Sequence, residues 1–196
     1  MIDKIPGFED MVIYEDAKCA FKGDTLIDLA KKFNLHYFVE TGTYAGEMLK
    51  YILPRHEWVQ LYSVELGQRL FERAVKLFVD NPNIWILQGD SGEVLKTLDM
   101  PTPTLYWLDA HACGGVTAMG KKITPIIEEL ETVVNDVDHV IVIDDVDNYI
   151  SICEPDNLPK WNVTLSQIMD YVHKRKPSLR FKIVDTMLIC TPGYMP

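Results

Sequence analysis

Six acidic residues, Glu40, Glu65, Asp90, Asp109, Asp144 and Asp145, each close or follow a run of apolar, β-forming residues: HYFVE, VQLYSVE, IWILQGD, TLYWLD and HVIVIDD. A carboxylate at such a place can cap a helix, accept from a sugar hydroxyl, hold an ammonium group or share a cation. One of them alone reads as a helix cap. Six at the same point of successive elements read as one shared site, because in an open α/β sheet the ligand lies beyond the carboxyl ends of the strands.

The first run continues as Glu40-Thr41-Gly42-Thr43-Tyr44-Ala45-Gly46. Its glycines let backbone approach a ligand and a helix pack on a strand. The spacing is E-x-G-x-x-x-G, not the G-x-G-x-x-G of a dinucleotide turn, and a carboxylate before the first glycine repels a pyrophosphate while suiting a cationic group. Glu65 stands about one strand-helix unit later, where an acid can bond both hydroxyls of a ribose. Asp90-Ser91 is placed to meet an adenine amino group. Together they ask for an adenosine with a positively charged amino-acid tail, and S-adenosylmethionine has that form.

The elements that must position these residues follow from periodicity. Apolar strands alternate with segments of helical period from about Leu26 onward, with no Ser/Gly linker. Asp24 is expected to cap a helix through TLIDLAKKFN, and HYFVET to follow as a strand. A helix starting at Thr43 or Tyr44 is stopped by Pro54, and further helices are expected over residues 68–80 and 91–98. Pro125 suits the first turn of IIEELETVV, a last helix covers about residues 165–174, and RFKIVD with TMLICT forms a C-terminal hairpin. This pattern predicts one α/β domain over residues 1–196, with residues 1–35 as an N-terminal segment and helix and 36–196 as the core. Its sheet is mostly parallel, covered on both faces and ends in an antiparallel edge.

Composition narrows the partners. The chain has 196 residues, 19 Lys and Arg against 29 Asp and Glu, and a net charge of −10. That balance argues against a nucleic-acid backbone, which is bound through clustered basic residues. No apolar run reaches the ~20 residues of a membrane span. Cys19, Cys113, Cys153 and Cys190 show no C-x-x-C pair or framework spacing, so they are expected as reduced thiols in a cytoplasmic protein. The opening MIDKIPGFEDMVIYED, with Pro6, Gly7 and acids throughout, does not have the form of a signal or transit peptide. A homo-oligomer is compatible with all of this.

VETGTYAG, LYSVEL, ILQGDSGEVL, WLDAH and VIVIDD, in this order, resemble the class I S-adenosylmethionine-dependent methyltransferases from about His36 to the final hairpin. The resemblance implies a Rossmann-like, doubly wound, seven-stranded sheet, mostly parallel with an antiparallel C-terminal strand. It places Glu40 near the methionine moiety, with Thr41, Gly42, Thr43 and Gly46 forming the turn. Glu65 would hold the ribose, Asp90 and Ser91 would lie by the adenine, and Asp109 would border the cofactor.

Asp109, Asp144 and Asp145 are expected to converge from adjacent strands. Three close carboxylates call for protonation, solvent or a cation, and oxygen donors favour Mg²⁺ or another hard divalent ion. This trio resembles the metal-dependent O-methyltransferases, whose ion holds hydroxyls of a small acceptor such as a sugar, phenol or natural product. His111, just past Asp109, could take the hydroxyl proton or bind the metal. The connection HACGGVTAMGKKIT, with Gly114, Gly115 and Gly120, is expected to close over the acceptor, and Lys121 and Lys122 either recruit an anion or contact solvent. Tyr149 and Trp161 either stack on the acceptor or belong to the core. Four alternatives stay open: a metal-independent methyltransferase of the same fold, a nicotinamide oxidoreductase, a Mg²⁺-dependent hydrolase or phosphotransferase, and a catalytically silent adenosyl-ligand-binding protein.

Overall fold

The computed structural model describes residues 17–100, 102–111, 120, 122–150 and 163–193. The expectations placed on Cys113, Cys153, Gly114, Gly115, Lys121, Trp161 and the first sixteen residues lie outside that set.

The elements run α1 (Ala17–Lys32), β1 (Tyr37–Thr41), α2 (Glu47–Ile52), β2 (Gln60–Glu65), α3 (Gln68–Leu77) and β3 (Ile84–Gln88). They continue α4 (Ser91–Val94), β4 (Leu105–Leu108), α5 (Ile126–Val133), β5 (Val140–Ile143), α6 (Leu165–Arg175), β6 (Leu179–Val184) and β7 (Met187–Pro192). The strands form one seven-stranded sheet in the order β3-β2-β1-β4-β5-β7-β6. Pairing is parallel from β3 to β5, while β7 runs antiparallel to both β5 and β6. The doubly wound, Rossmann-like sheet read from the sequence is therefore present. The antiparallel strand is not the outermost one, because the hairpin inserts β7 between β5 and β6.

Two cores lie on the two faces, and the strand period of two assigns side chains to them. In β4, Leu105 and Trp107 join Leu26, Ile27, Leu49 and Ile52 of α1 and α2. Tyr106 and Leu108 join Ile126 and Leu130 of α5 and Ile168 and Val172 of α6 on the other face. This double burial is why the central strands read as unbroken Val, Ile and Leu.

Two helix starts differ from expectation. Asp24 does not cap α1, which is already helical at Ala17; it accepts a hydrogen bond from the Tyr51 hydroxyl at 2.8 Å. Gly23, a poor helix former, sits inside α1 because a Cβ there would lie 2.3 Å from the Tyr51 ring where α2 packs. Helix α2 starts at Glu47, not at Thr43 or Tyr44. Gly42, Tyr44 and Gly46 all have positive φ, so the chain winds through a left-handed turn before it can enter the helix.

Candidate functional site

Register brings the acids to one edge. Thr41, Leu108 and Ile143 are aligned across β1, β4 and β5, and Thr41 pairs with Val64 of β2. The next residue of each strand, Gly42, Asp109, Asp144 and Glu65, therefore begins at the same level. The chain leaves β1 toward β2 on one side while β4 flanks the other, so the strand order reverses at β1, the place where the ligand crevice of an open α/β sheet is expected beyond the strand ends.

The glycine turn lies against this crevice. The Gly42 amide donates to Val64 O at 2.9 Å, and the Gly46 amide to Thr43 O at 2.8 Å. Side chains beneath it form a relay in which the Thr43 hydroxyl lies 2.6 Å from Ser63 Oγ and Ser63 donates to Glu40 Oε2 at 2.5 Å. Glu40 is 2% exposed. Burial pushes its carboxyl up to about 8 against the opposing Ser63 bond, with Glu65 and Glu47 adding to the rise. Its neutral form is thus favoured at neutral pH.

Glu65 holds the turn from the next strand. Its two oxygens accept from the Tyr44 amide at 2.9 Å and the Gly67 amide at 2.8 Å. Burial raises its carboxyl, and these amide bonds oppose the rise. Asp90 caps α4, accepting from the Gly92 amide at 3.1 Å, so the cap reading of this residue is realised in the fold. Its other oxygen faces the chain at Gly120, where a Cβ would lie 3.2 Å from Oδ2.

Ser91 points elsewhere, donating to Glu129 Oε1 at 2.5 Å. Glu129 is 1% exposed, and burial lifts its carboxyl to about 7 despite bonds from Ser91 and Thr41. It links the glycine turn to the end of β3. Sequence reasoning missed it, although a signal existed: Glu129 occupies the buried phase of α5 with Ile126, Leu130 and Val133.

Beyond β4 and β5 lies the second group. The Asp109 amide is 3.2 Å from both the backbone and the hydroxyl oxygen of Thr41, which seats it against the turn. His111 bridges two acids, with Nδ1 3.5 Å from Asp109 Oδ1 and Nε2 3.5 Å from Asp145 Oδ2. One donor atom from each of Asp109, His111 and Asp145 falls within 4.8 Å of the others. Asp145 itself has φ 53, a left-handed conformation that Asp tolerates better than most residues and that turns its carboxylate toward His111. Burial raises the Asp109 carboxyl well above the ordinary range, and the charges of Asp144 and Asp145 raise it further.

Asp144 is engaged differently. Lys22 of α1 reaches it at 2.5 Å, lies 3.7 Å from Asp145 Oδ1 and sits 5.9 Å from the Trp107 ring centre. Thr186 donates to its other oxygen at 3.2 Å. Strand alternation explains the meeting, because Asp144 follows Val142 by two residues and Val142 faces the core that α1 covers. Burial lowers the Lys22 ammonium, but the charge and hydrogen bond of Asp144, with Asp109 and Asp145 behind, hold it above its usual value. Lys22 went unread because the sequence reading began its helix too late; four residues before Leu26, it shares the buried phase of α1. Of the remaining candidates, Tyr149 is buried in the core and Lys122 pairs with Glu128.

No family model and no curated protein matches the chain. Solved structures do. The O-methyltransferase TomG of Streptomyces achromogenes, involved in tomaymycin synthesis and solved with S-adenosylmethionine, is 18% identical, with 95% of this chain and 94% of that one covered and a TM-score of 0.61. An O-methyltransferase from Bacillus cereus in complex with S-adenosylhomocysteine is 12% identical, with 93% and 84% covered and a TM-score of 0.62. The 23S rRNA methyltransferase ErmE is 14% identical, with 93% and 70% covered and a TM-score of 0.55. The chain has the fold these methyltransferases share. Since the same fold serves an RNA methyltransferase, the acceptor must be argued from the site.

Proposed function

We propose that this chain is an S-adenosylmethionine-dependent methyltransferase acting on a hydroxyl of a small acceptor, with a divalent cation beside the acceptor. The observation that supports the reading is the edge at β1 and β4, where the strand order reverses. There Glu40, the Gly42 to Gly46 turn, Glu65 and Asp90 line one stretch of the sheet edge, and the Asp109, His111 and Asp145 donors adjoin it.

Each residue then has a physical task. Glu40 pairs with the cationic amino-acid end of the ligand, and Thr41, Gly42, Thr43 and Gly46 supply close backbone. Glu65 orients the turn through the Tyr44 amide and turns its remaining acceptor capacity to the ribose. Asp90 borders the adenine, while Ser91, turned to Glu129, steadies the chain beside it. The donors Asp109, His111 and Asp145 fit a hard cation: two carboxylates suit Mg²⁺, and the imidazole widens the choice to Mn²⁺. When bound, the sulfonium cofactor supplies an activated methyl group and the cation lowers the pKa of an acceptor hydroxyl. The chain's own share is to align that oxygen and exclude water; His111 serves as a cation ligand in this reading, and its imidazole is suited to take the hydroxyl proton only where no cation engages it.

The net charge of −10 favours a small acceptor over a nucleic acid, and no helix among the described residues is long and apolar enough to cross a membrane. A second reading, transfer without a metal, is favoured by the Lys22 ammonium, which already neutralises part of the acid cluster.

Calorimetry is expected to show binding of S-adenosylhomocysteine and none of NAD or NADP; the opposite pattern would sink the methyltransferase reading. Once a hydroxylated acceptor is found by label transfer from radioactive cofactor, His111→Ala is expected to lower kcat by about 100-fold or more, within the range of general-base contributions. Affinity for S-adenosylhomocysteine should stay within about twofold, a limit set by the absence of a cofactor contact from His111 in this reading. An unchanged kcat removes His111 from the chemistry.

A further inference from the structure

Lys22 sits on α1, far in sequence from the strand ends, yet among the described residues its ammonium is a cation that the folded chain itself delivers to the acid cluster. Its contacts are unequal. Asp144 receives it at 2.5 Å and is further held by Thr186, while Asp145 stands at 3.7 Å and keeps its other oxygen toward His111. Asp144 is 4% exposed, with one oxygen toward Lys22 and the other toward Thr186. The three donors that do converge are Asp109, His111 and Asp145. A buried ion pair of this kind strongly penalises removal of one partner, whereas replacement of both by neutral groups is tolerated.

We propose that Lys22 is the specificity-determining residue of the cation site, withdrawing Asp144 from coordination and leaving Asp109, His111 and Asp145 as the face a divalent cation meets. The inference rests on the metal-assisted reading above and deepens it. Lys22 also sets the affinity, since a fixed positive charge beside Asp145 opposes a second cation. It makes the site a weak one, filled best when an acceptor adds its own oxygen donors.

Binding of Mn²⁺ to the full chain, followed by loss of the free-ion electron paramagnetic resonance signal, separates the two ideas without any activity measurement. Asp145→Asn should weaken binding about tenfold or more, because it removes a ligand charge. Lys22→Met should tighten binding about tenfold, by removing a like charge. Where that variant fails to fold, Lys22→Met with Asp144→Asn carries the test, as it exchanges the ion pair for two neutral groups and should bind Mn²⁺ at least as tightly as the native chain. Weaker binding by the double variant would show that Asp144 is itself a ligand and overturn the role of Lys22 while leaving the cation site in place. Binding by Lys22→Met alone, with none by the native chain, overturns both the three-donor face proposed here and metal assistance in the native enzyme. No binding by any of them, or binding indifferent to Asp145→Asn, overturns both.

Discussion

Glu40→Gln is expected to stabilise the ligand-free chain at alkaline pH and, in the same molecule, to weaken S-adenosylhomocysteine binding by about 10- to 100-fold, the value of a charge-assisted hydrogen bond. Both effects have one origin. Burial lifts the Glu40 carboxyl from 4.5 to about 8, so the folded state holds this proton more tightly than the unfolded state does. The corresponding stability is complete below about pH 4.5 and is lost as pH rises through about 8. Glu129, lifted to about 7, acts in the same direction over a lower window. The ligand-free native chain should therefore melt at falling temperature from pH 5.5 to 8.5. Gln, which keeps an acceptor for Ser63 but carries no proton to lose, should flatten that slope and raise the Tm at pH 8.5 by about 3–6 °C.

An ammonium group beside Glu40 favours the ionised form, so binding at pH 7 should release a proton, measured by calorimetry in buffers of different ionisation enthalpy. The release should vanish in Glu40→Gln. Equal affinity and equal proton release in the two chains would place the ligand's cationic end elsewhere.

Gly42→Ala should be the most damaging single methyl group in the site. Gly42 has φ +87, and a Cβ there would lie 2.8 Å from the Asp109 carbonyl oxygen and 3.2 Å from its carbon, both backbone. Neither contact can be relieved by a side-chain rotation. Backbone strain and overpacking each cost about 1–3 kcal/mol, so a loss of about 2–5 kcal/mol in stability is expected from denaturant unfolding. Because the glycine turn packs here against the end of β4, displacing it should also cost S-adenosylhomocysteine binding. Gly120→Ala is the control: its tightest Cβ contact would be the carboxylate oxygen of Asp90 at 3.2 Å, the far end of a side chain that can rotate, and its other neighbours, Leu66 Cδ2 at 3.5 Å and the Lys122 carbonyl oxygen at 3.9 Å, are at ordinary contact distance. A Gly42→Ala chain as stable and as tightly binding as the native one would mean that the turn is not held against Asp109.

Much of this was legible before folding. The alternation of apolar strands with helical periods specified a doubly wound sheet, and it fixed which residues end its strands, because the strand period commits every second residue to a face. Helix beginnings were less legible. Asp24 looks like a cap, yet α1 is already helical at Ala17, since packing against Tyr51 stabilises helix through Gly23 where local preference would end it. The turn before α2 was read as helix because positive φ at Tyr44 leaves no mark in an apolar pattern.

The sequence by itself determined that six carboxylates and a glycine turn share one edge of the sheet, for that follows from local periodicity and strand direction alone. Only the tertiary structure decided which of the groups at that edge are available. Asp144 is claimed by Lys22, 122 residues away, and Ser91 by Glu129, 38 residues away, while His111 draws Asp109 and Asp145 together. Such partnerships depend on how each helix is rotated and where it crosses the sheet, a geometry settled by packing the whole core at once and written in no single stretch of chain.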